Sequence, residues 1–373
     1  MLGEDGIVKI LAVVGARPNF MKIAPILWEL ARRPGLEACL VHTGQHYDLR
    51  MSTLFFEDLH IPRPDIDLGV GSGSHATQTA EVLKRFEPVL IAEKPDLVMV
   101  VGDVNSTLAC ALAAAKLSIP VAHVEAGLRS FDRTMPEEVN RILTDAISDW
   151  LFVTERSGLI NLRNEGVPEE KIHFVGNVMI DTLFAVGHRA ERSTILEDLG
   201  VRPGAYAVLT LHRPANVDGA DVLAGLMRAV GRIQESIPVV FPVHPRTRGV
   251  LGPAVEAFPH LHLCEPLGYP DFMKLLRHAR LVLTDSGGIQ EETTVLGVPC
   301  LTLRNNTERP VTVEQGTNVL VGLTPERIVS AAVAALLHSP RRTALPELWD
   351  GRAAVRLLDV LEKSLSRPIA LAV

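Results

Sequence analysis

Short apolar runs alternate with longer stretches of helical periodicity along most of this chain, and this alternation constrains the fold more than any other feature. Each run is rich in Val, Ile and Leu and too short for a helix, which is typical of strands buried on both faces of a parallel sheet. The helical stretch after each run supplies the crossover to the next strand. The predicted strands are residues 8–14, 38–43, 97–101, 119–124, 150–153 and 172–175 in the first half, and 206–211, 239–243, 260–263, 281–284, 299–303 and 318–321 in the second.

This pattern predicts an α/β protein with two domains. A chain of 373 residues is too long for one hydrophobic core, and the strand-helix rhythm restarts after a charged, linker-like segment at residues 190–204. We expect one domain over residues 1–190 and a second over 191–352, with the last stretch, 353–373, packing back on the first domain. The predicted helices are residues 24–33, 77–92, 108–117, 137–147, 179–189, 221–236 and 288–296.

The composition disfavours several classes of protein. A formal net charge of -7 argues against a nucleic-acid binder that works through a general basic field. No apolar run reaches about 18 residues, so we expect no membrane partner, and the N-terminus lacks the features of a secretory signal. The four cysteines have no Cys-x-x-Cys spacing, which indicates a reducing compartment and no metal site. We expect a cytoplasmic enzyme.

The segment LVLTDSGGIQEE, residues 281–292, is the sharpest local signal for a ligand. A strand, a turn formed by Ser286, Gly287 and Gly288, and a helix follow one another, so backbone N–H groups and the positive helix end would form an anion cradle. The Glu292 carboxylate would accept hydrogen bonds from ribose hydroxyls. No P-loop or complete Gly-x-Gly-x-x-Gly motif occurs, which disfavours P-loop hydrolases and NAD enzymes. The segment predicts a nucleotide ligand; an ordinary connection capped by Ser286 or Asp285 is the alternative.

Basic residues follow predicted strands in both halves. Arg17 and Lys22 surround the first strand-to-helix turn, and His212 and Arg213 follow a strand of the second half. A guanidinium matches phosphate oxygens, and a His can donate a hydrogen bond or a proton to a departing phosphate. One such pair in each half favours an anionic ligand. For the residues at later strand ends, binding and structural roles stay open: His244, Arg246, Glu308 and Arg309.

Three carboxylates lie at or just after predicted strands of the first half. Asp103 and Glu125 each follow a strand, and Glu137 begins the next helix. Acids beside a diphosphate oppose its binding, so binding alone does not explain them. A crowded, partly desolvated carboxylate has a raised pKa and acts as an acid while its neighbour acts as a base. These residues predict proton transfer on the sugar of a nucleotide sugar; a solvated loop before an acidic helix start is the alternative.

Eight segments, read in order, resemble those of the non-hydrolysing UDP-N-acetylglucosamine 2-epimerases. They are GARPNFMK, GDVNSTLA, HVEAGLRS, MPEEVNR, TLHRPANVD, FPVHP, TDSGGIQEE and TERPVTVEQGT, within about residues 8–321. The resemblance implies two Rossmann-like domains in the glycosyltransferase B arrangement, with the active site in the interdomain cleft. It implies that UDP is eliminated across C1 and C2 to leave 2-acetamidoglucal, then adds back with C2 inverted to give UDP-N-acetylmannosamine. No metal or redox cofactor is implied, and such enzymes are commonly homodimers.

The resemblance also implies roles for individual residues. The acid/base residues would be Asp103, Glu125 and Glu137, assisted by Lys22 and His212. Arg17, Ser286, Gly287 and Gly288 would hold phosphates, Glu292 the ribose, and Phe272 would stack on uracil. Further expected contacts to the UDP-sugar are Arg141, Arg213, His244 and Arg309. Gln45 and His46 match positions used by members that a second UDP-N-acetylglucosamine activates.

Two segments depart from the family pattern. Many bacterial members have Glu where this chain has Asn19, and Arg-Glu where it has Pro214-Ala215. The departures leave open whether UDP-N-acetylglucosamine is an allosteric activator. They also leave open other functions: a 2-epimerase of a modified substrate such as a UDP-2,3-diacetamido uronic acid, a hydrolysing epimerase, a glycosyltransferase on the same scaffold, or a non-catalytic nucleotide-sugar sensor.

Overall fold

The computed structural model describes residues 7–45, 56–243, 245–251, 255, 258–338 and 344–365, with the backbone alone at Arg17, Pro245 and Arg246. The chain forms two compact units. The first contains Met1–Thr182 and Glu347–Val373, and the second contains Leu183–Pro346. Each unit is built on its own parallel sheet.

The sheet of the first unit has seven strands in the order β3-β2-β1-β4-β5-β6-β7, and all neighbours are parallel. The strands are β1 (Val8–Val14), β2 (Leu36–His42), β3 (Ile66–Asp67), β4 (Leu97–Val101), β5 (Val121–Ala126), β6 (Trp150–Val153) and β7 (Ile172–Phe174). The helices of this part of the chain are Arg17–Leu30, His75–Glu93, Asn105–Lys116, Pro136–Ile147, Arg156–Asn164, Val178–Glu191 and Ala353–Leu365, with a 3-10 turn at Glu169–Lys171.

The sheet of the second unit has six parallel strands in the order β10-β9-β8-β11-β12-β13. The strands are β8 (Ala207–Thr210), β9 (Val239–Pro242), β10 (Leu261–Cys264), β11 (Leu281–Thr284), β12 (Cys300–Thr302) and β13 (Asn318–Leu320). The helices are Ile195–Asp198, Pro214–Val217, Ala220–Ile233, Pro245–Leu251, Tyr269–Arg277, Gly287–Leu296, Val311–Glu314 and Pro325–Leu337.

These two sheets confirm the predicted α/β fold class. Helices on both faces bury the central strands, and every residue of β4 and of β11 is buried. An uninterrupted apolar run is therefore the sequence that such a strand requires. The strands β1, β4, β6 and β11 begin and end at the predicted residues.

The first unit differs from the prediction at several elements, and the helix Arg156–Asn164 was not predicted at all. The edge strand β3 was missed because it has only two residues, neither of which is buried. The first helix was predicted over residues 24–33, but it spans Arg17–Leu30. Pro18 occupies its first turn, where a missing N–H is harmless. The Asn19 side chain accepts hydrogen bonds from Gly15 N and Ala16 N, just before the helix.

Each sheet has a point at which successive connections leave in opposite directions along the sheet. In the first sheet this point lies between β1 and β4, and in the second between β8 and β11. Loops diverge there and leave a crevice beyond the carboxyl ends of the strands, where ligands bind in open α/β sheets. Asp103 lies in the connection after β4, and Lys22 lies in the helix that follows β1. His212 and Ser286 lie in the connections after β8 and β11.

The helix Ala353–Leu365 packs against the helix Arg17–Leu30 in the first unit. Its apolar side buries Leu357 and Leu361, and Arg33 Nη1 donates to Glu362 Oε2 at 2.6 Å. In the part of the chain that the structure describes, no helix combines the length and the apolar character needed to cross a bilayer.

Asp181 anchors the start of this last helix. Its carboxylate oxygens accept hydrogen bonds from Ala353 N at 3.1 Å and from Ala354 N at 2.8 Å. Burial raises the pKa of Asp181 to about 6, so the carboxylate is ionised at pH 7.5. The two N–H groups have no partner within the helix, so losing this cap leaves buried donors unsatisfied.

We predict that Asp181→Ala lowers the free energy of unfolding by about 1–2 kcal/mol, the usual cost of removing a helix cap. Urea unfolding at pH 7.5, followed by circular dichroism, measures the change. Glu170→Ala, which truncates an exposed carboxylate of the same unit, is the control and should change little. Equal stability of the two variants would contradict the capping role.

Candidate active site

A buried ion pair joins the first helix to the end of β5. Lys22 Nζ pairs with Glu125 Oε2, and the two side chains are only 6% and 5% exposed. Removing two charges from water is costly, and apolar residues often fill such positions with no loss of stability. A buried charge pair at the carboxyl end of a central strand therefore points to chemistry rather than to packing.

The backbone at two strand ends is shaped around this pair. Glu125 has φ 76° and Gly102 has φ 69°, and the β5–β6 register shifts at Glu125. The left-handed conformation costs a non-glycine residue about 1–2 kcal/mol. At Gly102 a Cβ would lie 2.8 Å from Lys22 Nζ. Glycine is required there, because any side chain would displace the lysine.

Asp103 is held at two of its atoms by the helix Pro136–Ile147. Arg141 Nη1 donates to the Asp103 carboxylate, and Asn140 Nδ2 donates to the Asp103 carbonyl at 2.9 Å. The Arg141 side chain is 2% exposed and that of Asp103 is 24% exposed. The carboxylate thus reaches the surface of the unit with a buried counter-ion behind it. Glu137, in the first turn of the same helix, is half-buried.

Glu138 fixes the loop that precedes this helix. Its carboxylate accepts hydrogen bonds from Ser130 N and Phe131 N, both at 2.9 Å, and from Arg141 Nη2 at 2.6 Å. Burial raises the pKa of Glu138, but these donors outweigh burial and hold the pKa below its ordinary value. Glu138 therefore remains ionised and anchors the loop, which leaves the adjacent Glu137 as the candidate for proton transfer.

In the second unit, Asp285 orients His212. Asp285 is fully buried, and its carboxylate lies 2.7 Å from His212 Nδ1. The same carboxylate accepts hydrogen bonds from His212 N and Arg213 N, each at 3.0 Å, and from Asn216 Nδ2 at 3.1 Å. Since Nδ1 faces Asp285, Nε2 is the nitrogen directed away from it, and the His212 side chain is 61% exposed. This arrangement can present a donor to an anionic ligand.

The turn after β11 begins a ten-residue helix, Gly287–Leu296, with Ser286 as its N-cap. The first N–H groups of a helix have no partner within it and favour an anion. A Cβ at Gly287 would lie 2.4 Å from Arg309 Nη1 and 2.7 Å from Glu308 Oε1. Gly287 is thus required by a buried ion pair behind the turn, a reason that the sequence did not reveal.

Two helices of the second unit meet at Glu292. The Tyr269 hydroxyl donates to Glu292 Oε1 at 2.9 Å, and Glu292 is 3% exposed. Burial, together with the Glu292 carboxylate, raises the pKa of Tyr269, so the hydroxyl remains a donor. Phe272, one turn after Tyr269, is half-buried. The residues predicted to contact ribose and uracil are therefore linked through a buried tyrosine.

The sequence profile of the UDP-N-acetylglucosamine 2-epimerases matches residues 28–362. The chain belongs to this family. It is 44% identical over 360 residues to a UDP-N-acetylglucosamine 2-epimerase homolog of Methanococcus maripaludis, covering 95% of this chain and 99% of the relative. It is also 45% identical over 334 residues to a UDP-2,3-diacetamido-2,3-dideoxy-D-glucuronate 2-epimerase of Pseudomonas aeruginosa, covering 88% and 92%.

A solved relative has the same fold. The crystal structure of Methanocaldococcus jannaschii UDP-GlcNAc 2-epimerase, in complex with UDP-GlcNAc and UDP, matches with a TM-score of 0.91 and 41% identity. The match covers 95% of this chain and all of the relative. Membership of the epimerase family thus agrees with the resemblance found in the eight sequence segments.

Several predicted binding residues of this epimerase-family chain are already engaged within their own unit. Arg141 pairs with Asp103 and Glu138. Arg309 is 5% exposed and pairs with Glu291 and Glu308. The two arginines hold carboxylates of their own unit in place. Their contacts with the UDP-sugar stay a prediction.

Other predicted residues have different placements. Arg213 Nε donates to the Asp285 carbonyl at 3.0 Å. Gln45 is buried, and its Oε1 accepts a hydrogen bond from Ser106 Oγ at 2.7 Å. His46, His244 and the Arg17 side chain lie outside the described residues.

Sequence reasoning missed the residues that position the predicted ones. Asn140 and Glu138 lie within the quoted segment MPEEVNR, beside predicted residues, but their contacts depend on how the helix packs. Asp285 was considered only as a helix cap, although a buried acid directly after a strand is a recognisable signal. Nothing in the local sequence indicates that Tyr269 contacts Glu292 across 23 positions.

Asp285 makes stability depend on pH in acid. Burial raises its pKa, but His212 and the backbone donors lower it to about 2, from an ordinary value of 3.8. A lowered pKa contributes stability above the unfolded-state value, and this contribution is lost as pH falls towards 2. The shift corresponds to about 2 kcal/mol at pH 5, roughly half of which is lost by pH 3.

We predict that Asp285→Asn loses less stability than the wild type between pH 5 and pH 3, by about 1 kcal/mol. Urea unfolding at the two pH values measures this difference. Asp221→Asn, at an exposed acid of the same unit, should retain the wild-type pH dependence. If the Asp285 variant did so too, the assigned ionisation of Asp285 would be wrong.

Proposed function

We propose that the protein interconverts UDP-N-acetylglucosamine and UDP-N-acetylmannosamine. The observation that carries the proposal is the buried Lys22–Glu125 pair next to Gly102 and Asp103, at the strand ends of a chain that belongs to the 2-epimerase family. The relative whose structure contains UDP-GlcNAc and UDP gives the substrate class.

The reaction proceeds in two steps, elimination of UDP and its addition back to the sugar. In elimination, the C2–H bond and the C1–O bond to UDP break, a C1=C2 double bond forms, and UDP leaves with the bonding electrons. In the addition, a proton returns to C2 and UDP attacks C1. Inversion requires that the proton leave from one face of the sugar and return to the other. Two proton-transfer groups are therefore needed, which accounts for several carboxylates in one unit.

The first unit supplies these groups in our proposal. Glu125 and Asp103 lie at adjacent strand ends, each beside a cation, Lys22 or Arg141. Glu137 begins the helix that holds Asp103 through Asn140 and Arg141. We assign proton transfer to the three carboxylates and assistance to Lys22, whose ammonium stabilises negative charge that develops nearby.

The second unit binds UDP and stabilises it as the leaving group. The N-terminal N–H groups of the helix Gly287–Leu296 hold phosphate oxygens. His212, oriented by Asp285, directs Nε2 at the diphosphate, where a hydrogen bond strengthens as negative charge accumulates. Glu292 accepts hydrogen bonds from ribose, and Phe272 stacks on uracil. No step in this scheme changes an oxidation state, so no redox cofactor takes part.

A second substrate has a specific observation in its favour. The Pseudomonas aeruginosa relative named for UDP-2,3-diacetamido-2,3-dideoxy-D-glucuronate is as similar to this chain as the relatives named for UDP-N-acetylglucosamine. Both sugars have the C2 hydrogen and the UDP group that the proposed chemistry uses, and they differ at C3 and C6. The catalytic residues alone therefore do not select between them.

We predict that incubation with UDP-N-acetylglucosamine in heavy water introduces deuterium at C2 of both epimers. Mass spectrometry and proton NMR measure the label, with the 2,3-diacetamido uronic acid run in parallel. Label in only the second sugar would overturn the substrate but retain the mechanism. Free N-acetylmannosamine with an equal amount of UDP would identify a hydrolysing enzyme, and no label in either sugar would reject the epimerase proposal.

We predict that Glu137→Gln lowers the rate of C2 exchange about 10²- to 10⁴-fold, the usual contribution of one general acid or base. Binding of UDP, measured by calorimetry, should be unchanged because Glu137 is assigned no contact with UDP, and the helix Gly287–Leu296 and His212, which are, lie in the second unit. Glu170→Gln, at an exposed position of the first unit, is the matched control. Exchange at the control rate would remove Glu137 from the mechanism.

A further inference from the structure

His123 is a buried residue of β5 to which the proposed chemistry assigns no role. It lies two positions before Glu125 and is 0% exposed. Its Nδ1 is 2.6 Å from Asp145 Oδ1, and its Nε2 is 2.8 Å from the Gly102 carbonyl oxygen. Both ring nitrogens are thus within hydrogen-bond distance of an oxygen.

Both of these oxygens are acceptors. A peptide carbonyl only accepts, and the Asp145 carboxylate itself accepts hydrogen bonds from Gly127 N at 3.0 Å and pairs with Arg129 at 2.7 Å. The Arg129 guanidinium and the Gly127 N–H both favour the ionised carboxylate, independently of the state of His123. An ionised Asp145 has no proton to donate to the ring.

A neutral imidazole fits this environment poorly. It carries one N–H, so one ring nitrogen would direct its lone pair at an oxygen lone pair in a place without access to solvent. Leaving such a buried polar group unsatisfied costs about 1–3 kcal/mol. Protons on both nitrogens satisfy both contacts.

The local charge balance leads to the same result. The charged groups that the structure describes around His123 are Asp145, Arg129 behind it, the exposed Glu165 that Arg129 binds and, across Gly102, the Lys22–Glu125 pair. With a cationic His123 the charges of these groups sum to zero. A neutral ring would leave a net negative charge beside the fully buried Asp145, which is unfavourable in a medium of low polarity.

We propose that His123 is a positioning residue, an imidazolium that donates from both ring nitrogens and fixes Gly102 beneath the acid/base residues of the proposed function. The inference rests on that function for its effect on catalysis. The protonation state of His123 rests on geometry alone.

Gly102 connects His123 to the reacting groups. A Cβ at Gly102 would lie 2.8 Å from Lys22 Nζ and 3.8 Å from Glu125 Oε2, so the ion pair packs against this glycine. Asp103 is the next residue in the chain. A shift of the Gly102 peptide therefore moves both strand-end carboxylates relative to each other. A displacement of about 1 Å at a catalytic group can lower a rate about 10²-fold.

The protonation state can be tested on the wild-type protein. We expect ¹⁵N-histidine NMR at pH 7.5 to show a directly bonded proton on each nitrogen of the His123 ring, and His123→Gln identifies that signal by its loss. A single ring proton on His123 would overturn the proposal. This measurement uses the native fold and does not depend on any activity.

The positioning role is tested by kinetics. We expect His123→Gln, which is uncharged, to lower kcat for C2 exchange roughly 10- to 100-fold, with KM changed less than threefold and Kd for UDP unchanged. The matched control is His173→Gln, because His173 is a histidine of the same sheet whose ring packs on Phe152 with centroids 5.7 Å apart. The control should retain the wild-type kcat.

The outcomes separate this inference from the proposed function. If the wild-type protein exchanges the C2 hydrogen and His123→Gln and His173→Gln have equal kcat, the positioning role is rejected and the epimerase proposal stands. Wild-type protein without exchange on either UDP-sugar would reject the epimerase proposal, while the NMR result would still decide the state of His123. If His123→Gln does not fold, the wild-type ring is assigned instead by nuclear Overhauser contacts between its Nε2 proton and Gly102, and a single ring proton still overturns the proposal.

Discussion

Parallel pairing on both sides of β1, and again on both sides of β8, is the constraint on which the rest of this structure depends. It forces the carboxyl ends of all strands in a sheet to the same edge. Residues far apart in sequence, such as Lys22 and Glu125, meet at that edge because the strand order brings β1, β4 and β5 side by side. The strand order, more than any single side chain, brings the residues of the candidate site together.

Charges at these edges are arranged as matched pairs. Three buried carboxylates of the candidate site each face a basic side chain: Glu125 with Lys22, Glu138 with Arg141, and Asp285 with His212. Burial alone would favour the neutral acid, and the partners reverse that preference at Glu138 and Asp285. Glu138 and Asp285 are thus held ionised as anchors, whereas the half-buried Asp103 and Glu137 reach the surface of the first unit.

The sequence predicted the residues at strand ends better than the contacts between them. Buried parallel strands require apolar runs, so β1, β4 and β11 could be located to the residue, whereas the two-residue β3 has no such run. Once a strand is located, charged residues directly after it can be predicted to lie at the edge of the sheet where ligands bind. Their partners cannot be predicted in this way, because the contact of Arg141 with Asp103, or of Tyr269 with Glu292, depends on how separate helices pack on the sheet.

The contacts of Asn19 give a structural role to a residue that differs from the expected family pattern. Its Oδ1 accepts hydrogen bonds from Gly15 N and Ala16 N, and its Nδ2 donates to the Val101 carbonyl at 2.9 Å. A carboxylate at this position would be acceptor-only when ionised and could not make the last bond. An amide therefore links the end of β1 to the end of β4 in this chain. Asn19 and Lys22, one helical turn apart, both approach Gly102, so the amide helps to fix the junction on which the proposed chemistry depends.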